Sequence, residues 1–408
     1  MVVSSKWFVD PIRLISLLFG IQFFLWLIVF PEEPMHLFGE PKCYDIKAQI
    51  MFWSLFAFLI GGVFLGKKIS NNHSYNTNPS KEKINYFRYC AYFAFILSFA
   101  SILIQISFVL KDPFGAIMLL FEPGGQENSY GEMIENRIPG VATLFWSLPI
   151  ALTIFSFSYF LSPVNAKTKN KDKIILFMSF FIMLAYSTFG RTRQSLLIGL
   201  LTIASVWLIC KTRYIKLSKL IVYGVFIVLF VWSAHNLRQG IAFSLNMGEP
   251  VFSKAVQSEI YSELVEKYVP GEFNNALIYL SYETDITKNI FLSSMFDRLS
   301  PDSFQPPRYV NTSNTLALWY WQTGYFSPVV ALLVGLWLGW IYRKAKDRRF
   351  GFDWASLYLS ISIPSIFAMI RVNSFFLWSF VVPLLFLIFM QVIWIIKQNF
   401  IRAALSKN

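Results

Sequence analysis

Apolar segments long enough to cross a bilayer recur along this 408-residue chain, at roughly 12–30, 48–66, 87–110, 139–161, 174–189, 195–210, 220–235, 325–342, 354–370 and 374–396. A membrane helix needs about 20 mostly apolar residues, because in lipid each backbone N–H and C=O must find its partner within the segment. The segments at 174–189, 195–210 and 354–370 are the shortest. Only 14% of the residues are charged, too few to cover a water-facing surface of this size. The 43 phenylalanines exclude a disordered chain, and 3 cysteines exclude a disulfide scaffold. The expected fold class is an all-α polytopic membrane protein of about ten transmembrane helices. It forms a single membrane domain over 1–408, with one large outer loop at 236–324 that contains short helices. No small-residue cleavage site precedes the acidic loop after the first segment, which therefore reads as a retained helix.

Charge gives the sidedness. With the N-terminus placed inside and the segments alternating, Lys and Arg outnumber Asp and Glu by 23 to 5 on the inner side and are outnumbered 13 to 18 on the outer side. Cytoplasmic loops of membrane proteins carry such an excess, so both termini are expected in the cytoplasm. The net charge of +13 then follows from topology, and nucleic acid is not an expected partner. No ionisable group is left deep within a span, which argues against an ion-coupled transporter. The chain has no CxxC, HExxH, P-loop or dinucleotide fingerprint, and neither a metal nor a cofactor is expected. Cys43, Cys90 and Cys210 read as small apolar fillers. Residues 70–83, rich in Asn and Ser, read as a cytoplasmic linker.

The outer arginines run against this pattern, since positive charge in a short outer loop opposes insertion. Arg191 and Arg193 sit in the tight loop Phe189-Gly190-Arg191-Thr192-Arg193-Gln194, which has no acid. Arg238 follows the seventh segment, and Arg371 stands alone in Ile370-Arg371-Val372-Asn373. A guanidinium binds carboxylate or phosphate bidentately and stays charged when desolvated. Outer-leaflet lipid phosphates would serve any one of them. Three such corners together suggest an anion-binding pocket at the outer boundary, suited to a phosphate or pyrophosphate on a lipid carrier.

In the outer loop, Val256, Ile260, Leu264, Val265 and Tyr268 are spaced for an amphipathic helix over Ser253 to Tyr268. Pro270-Gly271 is expected to end it, with a second helix at Asn274 to Tyr282. The acids concentrated here, Glu272 among them, read mostly as a solvated face. Asn311, Asn314, Trp319 and Tyr320 lie in a stretch of amides, hydroxyls and aromatics. Such residues suit sugar binding, by stacking and by hydrogen bonds to hydroxyls, and the aromatics equally suit the headgroup level.

Three stretches resemble the bacterial oligosaccharide repeat-unit polymerases, the Wzy-type O-antigen or capsule polymerases. They are Phe189 to Ser195, then Tyr261 with Gly271-Glu272-Phe273-Asn274-Asn275-Ala276-Leu277, then Asn314 through Tyr342 with its Gly324-Tyr325-Phe326 junction and Gly335/Gly339 helix. The resemblance covers about 185–345. It implies a GT-C-like, metal-independent inverting glycosyltransferase of the bacterial inner membrane. Donor and acceptor would be undecaprenyl-pyrophosphate-linked oligosaccharides, with a chain-length regulator as protein partner. Arg191, Arg193, Arg238 and Arg371 would hold the pyrophosphate. His235, Glu283, Asp285 and Asp297 are the candidate bases for the acceptor hydroxyl. Competing readings are an O-antigen ligase using the same donor, a polysaccharide flippase or other transporter, and a membrane scaffold.

Overall fold

The computed structural model describes residues 2–33, 41–69, 80–105, 138, 140–161, 166–189, 193–210, 214–216, 222, 244, 247–267, 269–281, 314–371, 375 and 377–405. The elements in chain order are β1 (Val2–Ser4), α1 (Pro11–Ile28), α2 (Ile46–Ile69), α3 (Lys81–Ile104), α4 (Val141–Phe145), α5 (Leu148–Leu161), α6 (Ala166–Phe189) and α7 (Arg193–Cys210). There follow β2 (Tyr214–Lys216), α8 (Lys254–Lys267), α9 (Val269–Ser281), α10 (Thr315–Thr323), α11 (Ser327–Asp347), α12 (Trp354–Ala368) and α13 (Trp378–Leu405). Apart from the antiparallel β1–β2 pair and short 3-10 turns, the described elements are α-helices.

Among the described residues, six helical segments are long and apolar enough to cross a membrane: Pro11–Ile28, Ile46–Ile69, Lys81–Ile104, Thr143–Leu161, Thr315–Asp347 and Ser379–Ala403. Ser195–Cys210 and Trp354–Ala368 are shorter apolar helices. The chain is thus a helical, multi-pass membrane protein. The expected segment at 220–235 falls almost wholly outside the described residues.

Several boundaries move for local reasons. The segment expected at 139–161 is two helices, α4 and α5, with a turn at Trp146 and Ser147. Pro149 causes the break, because a proline ring clashes with the carbonyl four residues back, here Phe145, the last residue of α4. The expected linker ends early: Ser80 caps α3, its hydroxyl accepting from Lys83 N at 3.2 Å. The helix α8 ends at Lys267, next to the expected Tyr268, but the segment with Pro270-Gly271 is helical too. It lies in the first turn of α9, where a proline's missing N–H is harmless.

The chain divides into two compact units, the first comprising Met1–Ile69, Thr212–Trp340 and Ile366–Ser374. At its centre α9 packs against α1, α2, α8 and α10. Phe273 of α9 enters an aromatic cluster, 4.8 Å from Phe52, 5.6 Å from Phe23 and 5.3 Å from Trp26 between ring centroids. In the same unit α2 and α11 run parallel with their backbones touching. Gly62 lies against Leu332 to Leu336, and Gly66 against Leu336 and Trp340. Gly335 and Gly339 face Leu59, Val63 and Lys67 in return. Small residues four apart on both helices permit this approach, which gains van der Waals contact where lipid supplies no hydrophobic drive.

The second unit comprises Ser70–Lys211, Ile341–Ser365 and Phe375–Asn408. Its core is α5, buried from Leu148 through Ser158 and packed against α3, α6 and α7. Asp172 of α6 is fully buried. It accepts from Arg88 Nη2 at 2.6 Å and Nε at 3.2 Å, and from the Ser158 hydroxyl. The basic stretch 162–173, expected as a loop, is therefore helical from Ala166 and carries one interior charge.

Ion pairs bear on the sidedness. Lys42–Glu32 and Arg371–Glu272 join groups that the charge count assigns to the outer side. Lys67–Asp10, Arg88–Asp172, Arg343–Asp347, Arg348–Asp353 and Lys397–Glu82 join groups assigned to the inner side. The β1–β2 pair likewise joins two inner segments.

Asp353 caps α12, its Oδ1 accepting from Ser356 N at 3.0 Å. Burial raises its carboxyl above the ordinary aspartate value of 3.8, outweighing the opposing pull of the Ser356 N–H, Arg348 and Lys83. The folded state therefore holds this proton longer than the unfolded chain. Stability should fall as pH rises from about 3.8 through the folded value and then level off. Asp353→Asn keeps the cap acceptor and should remove that part of the slope, read as the difference between wild-type and variant denaturation midpoints across pH 3 to 7. Identical slopes would show that Asp353 does not titrate differently in the two states.

Candidate functional site

Four segments of the first unit meet where α9 begins. Glu272 in the first turn of α9 is 1% exposed, and its Oε1 lies 3.3 Å from Nε of the half-exposed Arg371. Arg371 follows α12 in the turn Met369-Ile370-Arg371, which is held from two sides. The Met369 carbonyl accepts from Thr315 N at 2.7 Å, and the Ile370 carbonyl accepts from Gln22 Nε2 at 2.8 Å. Asn314 caps α10, its Oδ1 accepting from Ala317 N at 3.2 Å. Gln22 and Asn314 are both fully buried. Burial pushes the Tyr279 hydroxyl well above the usual phenol range, and the nearby Glu272 carboxylate adds to the effect.

Asn274, two residues after Glu272, anchors the site to the segment before α2. Its Oδ1 accepts from Trp26 Nε1 at 3.1 Å and from Cys43 N at 2.8 Å, and its Nδ2 donates to the Pro41 carbonyl at 3.0 Å. One side chain thus bonds three groups, of which the buried Trp26 N–H would otherwise go without a partner. The adjoining Phe273 fills the aromatic cluster. Glu272, Phe273 and Asn274 therefore give α9 three fixed contacts in a row.

The sequence candidates fare unequally. His235, Glu283, Asp285, Asp297, Arg191, Arg238 and Asn311 lie outside the described residues. Arg193 opens α7. Arg371 does not stand alone as its loop suggested: its carboxylate partner comes from α9, 99 positions earlier. Glu272, expected on a solvated face, is buried. Trp319 is fully buried and Tyr320 nearly so, which corrects the expectation that they lie open at the headgroup level. With its ring enclosed by protein, Trp319 offers no face for a sugar to stack on. Asn314 spends its oxygen on the helix cap and keeps its amide nitrogen for another partner.

Glu272, Gln22 and Asn274 were not singled out by the sequence. Glu272 and Asn274 did stand within the Gly271 to Leu277 stretch that carries the family resemblance, whereas Gln22 sits unmarked in an apolar helix. Among the described residues no group of three or more His, Cys, Asp or Glu could hold a metal ion. The arrangement offers a cation at the surface, braced by a buried carboxylate, beside buried amides. Such a constellation suits an anion with polar, uncharged groups attached. No protein-family model matches the chain, and no characterised protein or solved structure matches it either.

Proposed function

We propose that the chain is a membrane-embedded glycosyltransferase that extends oligosaccharide held on a lipid diphosphate, at the outer face of the bacterial inner membrane. The observation that carries this reading is the Arg371–Glu272 pair, set among Gln22, Asn314 and Tyr279 at the start of α9. The ion pairs support the sidedness, because each joins groups the charge count puts on one side. The parallel course of α2 and α11 supports it too, since alternating spans make both of these run from outside to inside.

The reaction exchanges one C–O bond for another. The acceptor hydroxyl oxygen bonds to the anomeric carbon of the donor chain as the bond from that carbon to the carrier diphosphate breaks. The bonding electrons leave with the diphosphate oxygen, and the hydroxyl proton passes to a base, for which His235, Glu283, Asp285 and Asp297 are the candidates. The charge that develops on the leaving diphosphate meets Arg371, with Arg191, Arg193 and Arg238 the other candidates for this role. Glu272 is a positioning residue: buried and ion-paired with Arg371, it fixes the guanidinium before the substrate arrives. A preplaced donor of this kind contributes about 3–4 kcal/mol in the transition state, roughly 10²–10³ in rate.

Arg371→Ala should therefore lower polymer formation about 100-fold or more at normal protein level. Arg371→Lys should not restore it, because an ammonium lacks the bidentate fork. Glu272→Gln should lower kcat more than it raises KM, since it loosens the cation without removing it. Arg191→Ala, Arg193→Ala and Arg238→Ala read the remaining arginines in the same assay, polymer length on gels from cells lacking the native enzyme. Full-length polymer from all of these variants removes the mechanism. Inactive variants that leave a single repeat attached to the lipid core fit a polymerase, whereas variants that leave no glycan attached there would favour the ligase.

A further inference from the structure

Where α11 gives way to α12, the second unit gathers more positive than negative charge. Arg348 Nη1 lies 3.5 Å from Asp353 Oδ2, with the arginine side chain 39% exposed and the aspartate 10%. Lys83, in the first turn of α3, joins them. Its Nζ stands over the Phe87 ring, 5.6 Å from the centroid. That ring lies 5.1 Å from Phe352 and 4.6 Å from Trp354, the two chain neighbours of Asp353. The ammonium is thereby within electrostatic reach of both Asp353 and Arg348. Other acids nearby have cations of their own: Glu82 pairs with Lys397 at 2.9 Å and Asp347 with Arg343 at 3.0 Å. One carboxylate therefore faces two cations, and one of its oxygens is committed to the Ser356 N–H.

Both cations keep donors open. Among the described residues Lys83 Nζ makes no hydrogen bond or ion pair, and the Arg348 side chain has only its contact with Asp353. Both are reachable, Lys83 partly exposed and Arg348 and Arg349 openly so. The turn holds them there at a cost. Arg349 and Phe350 both have φ of 54°, the left-handed region that residues other than glycine seldom enter. The buried Phe350 pins the turn, its N–H donating to the Ala345 carbonyl at 2.7 Å and its ring 5.9 Å from Tyr342. An ammonium and a guanidinium with free donors suit the oxygens of a phosphate. Lys83 and Arg348 stand at the ends of Lys81–Ile104 and Thr315–Asp347, two segments long and apolar enough to cross a membrane, so the pair belongs at headgroup level. The charge count assigns both ends to the inner side, where anionic lipid makes the leaflet negative.

We infer that Lys83 and Arg348, with Arg349 beside them, bind the phosphate of an anionic phospholipid at the membrane boundary. This site depends neither on Arg371 nor on glycosyl transfer. Phosphate oxygens take the donors that Asp353 leaves open, and Asp353 competes with the phosphate for the same two cations.

Native mass spectrometry of the full-length protein in detergent, titrated with phosphatidylglycerol, phosphatidylcholine or inorganic phosphate, tests this. The wild type should retain phosphatidylglycerol in preference to phosphatidylcholine of the same acyl chains. Lys83→Gln combined with Arg348→Gln should weaken that binding about tenfold or more, the scale of two basic residues at an anionic surface. Lys171→Gln combined with Lys173→Gln removes the same charge from exposed positions on α6 and should leave binding unchanged. Asp353→Asn keeps the α12 cap and removes the competing charge, so it should tighten binding severalfold, a sign that damage to the fold would not produce. Equal loss in the two double variants would show that net charge alone gathers the lipid, and overturns the site. So does an unweakened Lys83/Arg348 variant, or weaker binding by Asp353→Asn. Inorganic phosphate that binds as tightly as phosphatidylglycerol overturns the lipid assignment.

Discussion

Gly62→Ala should destabilise the protein by about 3 kcal/mol, whereas Gly61→Ala, one residue earlier on the same helix, should be neutral or slightly stabilising. The difference lies in what a single added carbon meets. A Cβ on Gly62 runs into the Leu332 carbonyl oxygen and lies 3.1 Å from the Gly335 Cα, while one on Gly61 meets nothing within 4 Å. The obstacle is backbone, so no rotamer change relieves it. The helices must separate, and the contacts along Gly62, Gly66, Gly335 and Gly339 weaken together. Gly335→Ala should behave as Gly62→Ala does, and Gly20→Ala as Gly61→Ala. Denaturation midpoints of the four purified variants check the pattern. Equal midpoints for Gly61→Ala and Gly62→Ala would show that α2 and α11 do not touch backbone to backbone.

Asp172→Ala should cost about 3–5 kcal/mol, the usual penalty for stranding one member of a buried ion pair. Arg88 is only 14% exposed and has two of its N–H groups on Asp172 Oδ1. Without that carboxylate the guanidinium is left charged in an apolar core, and the Ser158 hydroxyl loses its acceptor too. Replacing both charges by apolar residues of similar size should recover most of the loss, because the pair's attraction largely offsets its own desolvation. The double variant Arg88→Met with Asp172→Leu should thus unfold later than Asp172→Ala alone. If the double variant is as unstable as the single one, the penalty is not that of an orphaned charge.

The sequence made the membrane class legible because hydrocarbon imposes a length and a polarity on each span that no other environment demands. Lys and Arg gathered at span ends of one polarity carry the sidedness expected from the sequence. It could not show the partners of the interior polar groups. Glu272 and Arg371 stand 99 positions apart, and nothing in either neighbourhood names the other. Asp172 sits among four lysines in 166–173, which reads as a solvated loop until Arg88 is seen against it. Trp319 and Tyr320 had the composition of an interfacial belt, but a belt and a core use the same aromatic residues, and only packing separates them. Gly335 and Gly339 carried a readable spacing, while the matching Gly62 and Gly66 became meaningful only as the opposing half of the contact.

The most direct test of glycosyl transfer uses the purified protein alone. It is reconstituted with undecaprenyl-diphosphate-linked repeat units, with and without a metal chelator, and the products are separated by size. A ladder of lengthening glycans and released carrier diphosphate is expected in equal measure in both conditions. Repeat units that cross the bilayer unchanged, with no new glycosidic bond and no carrier released, would contradict it.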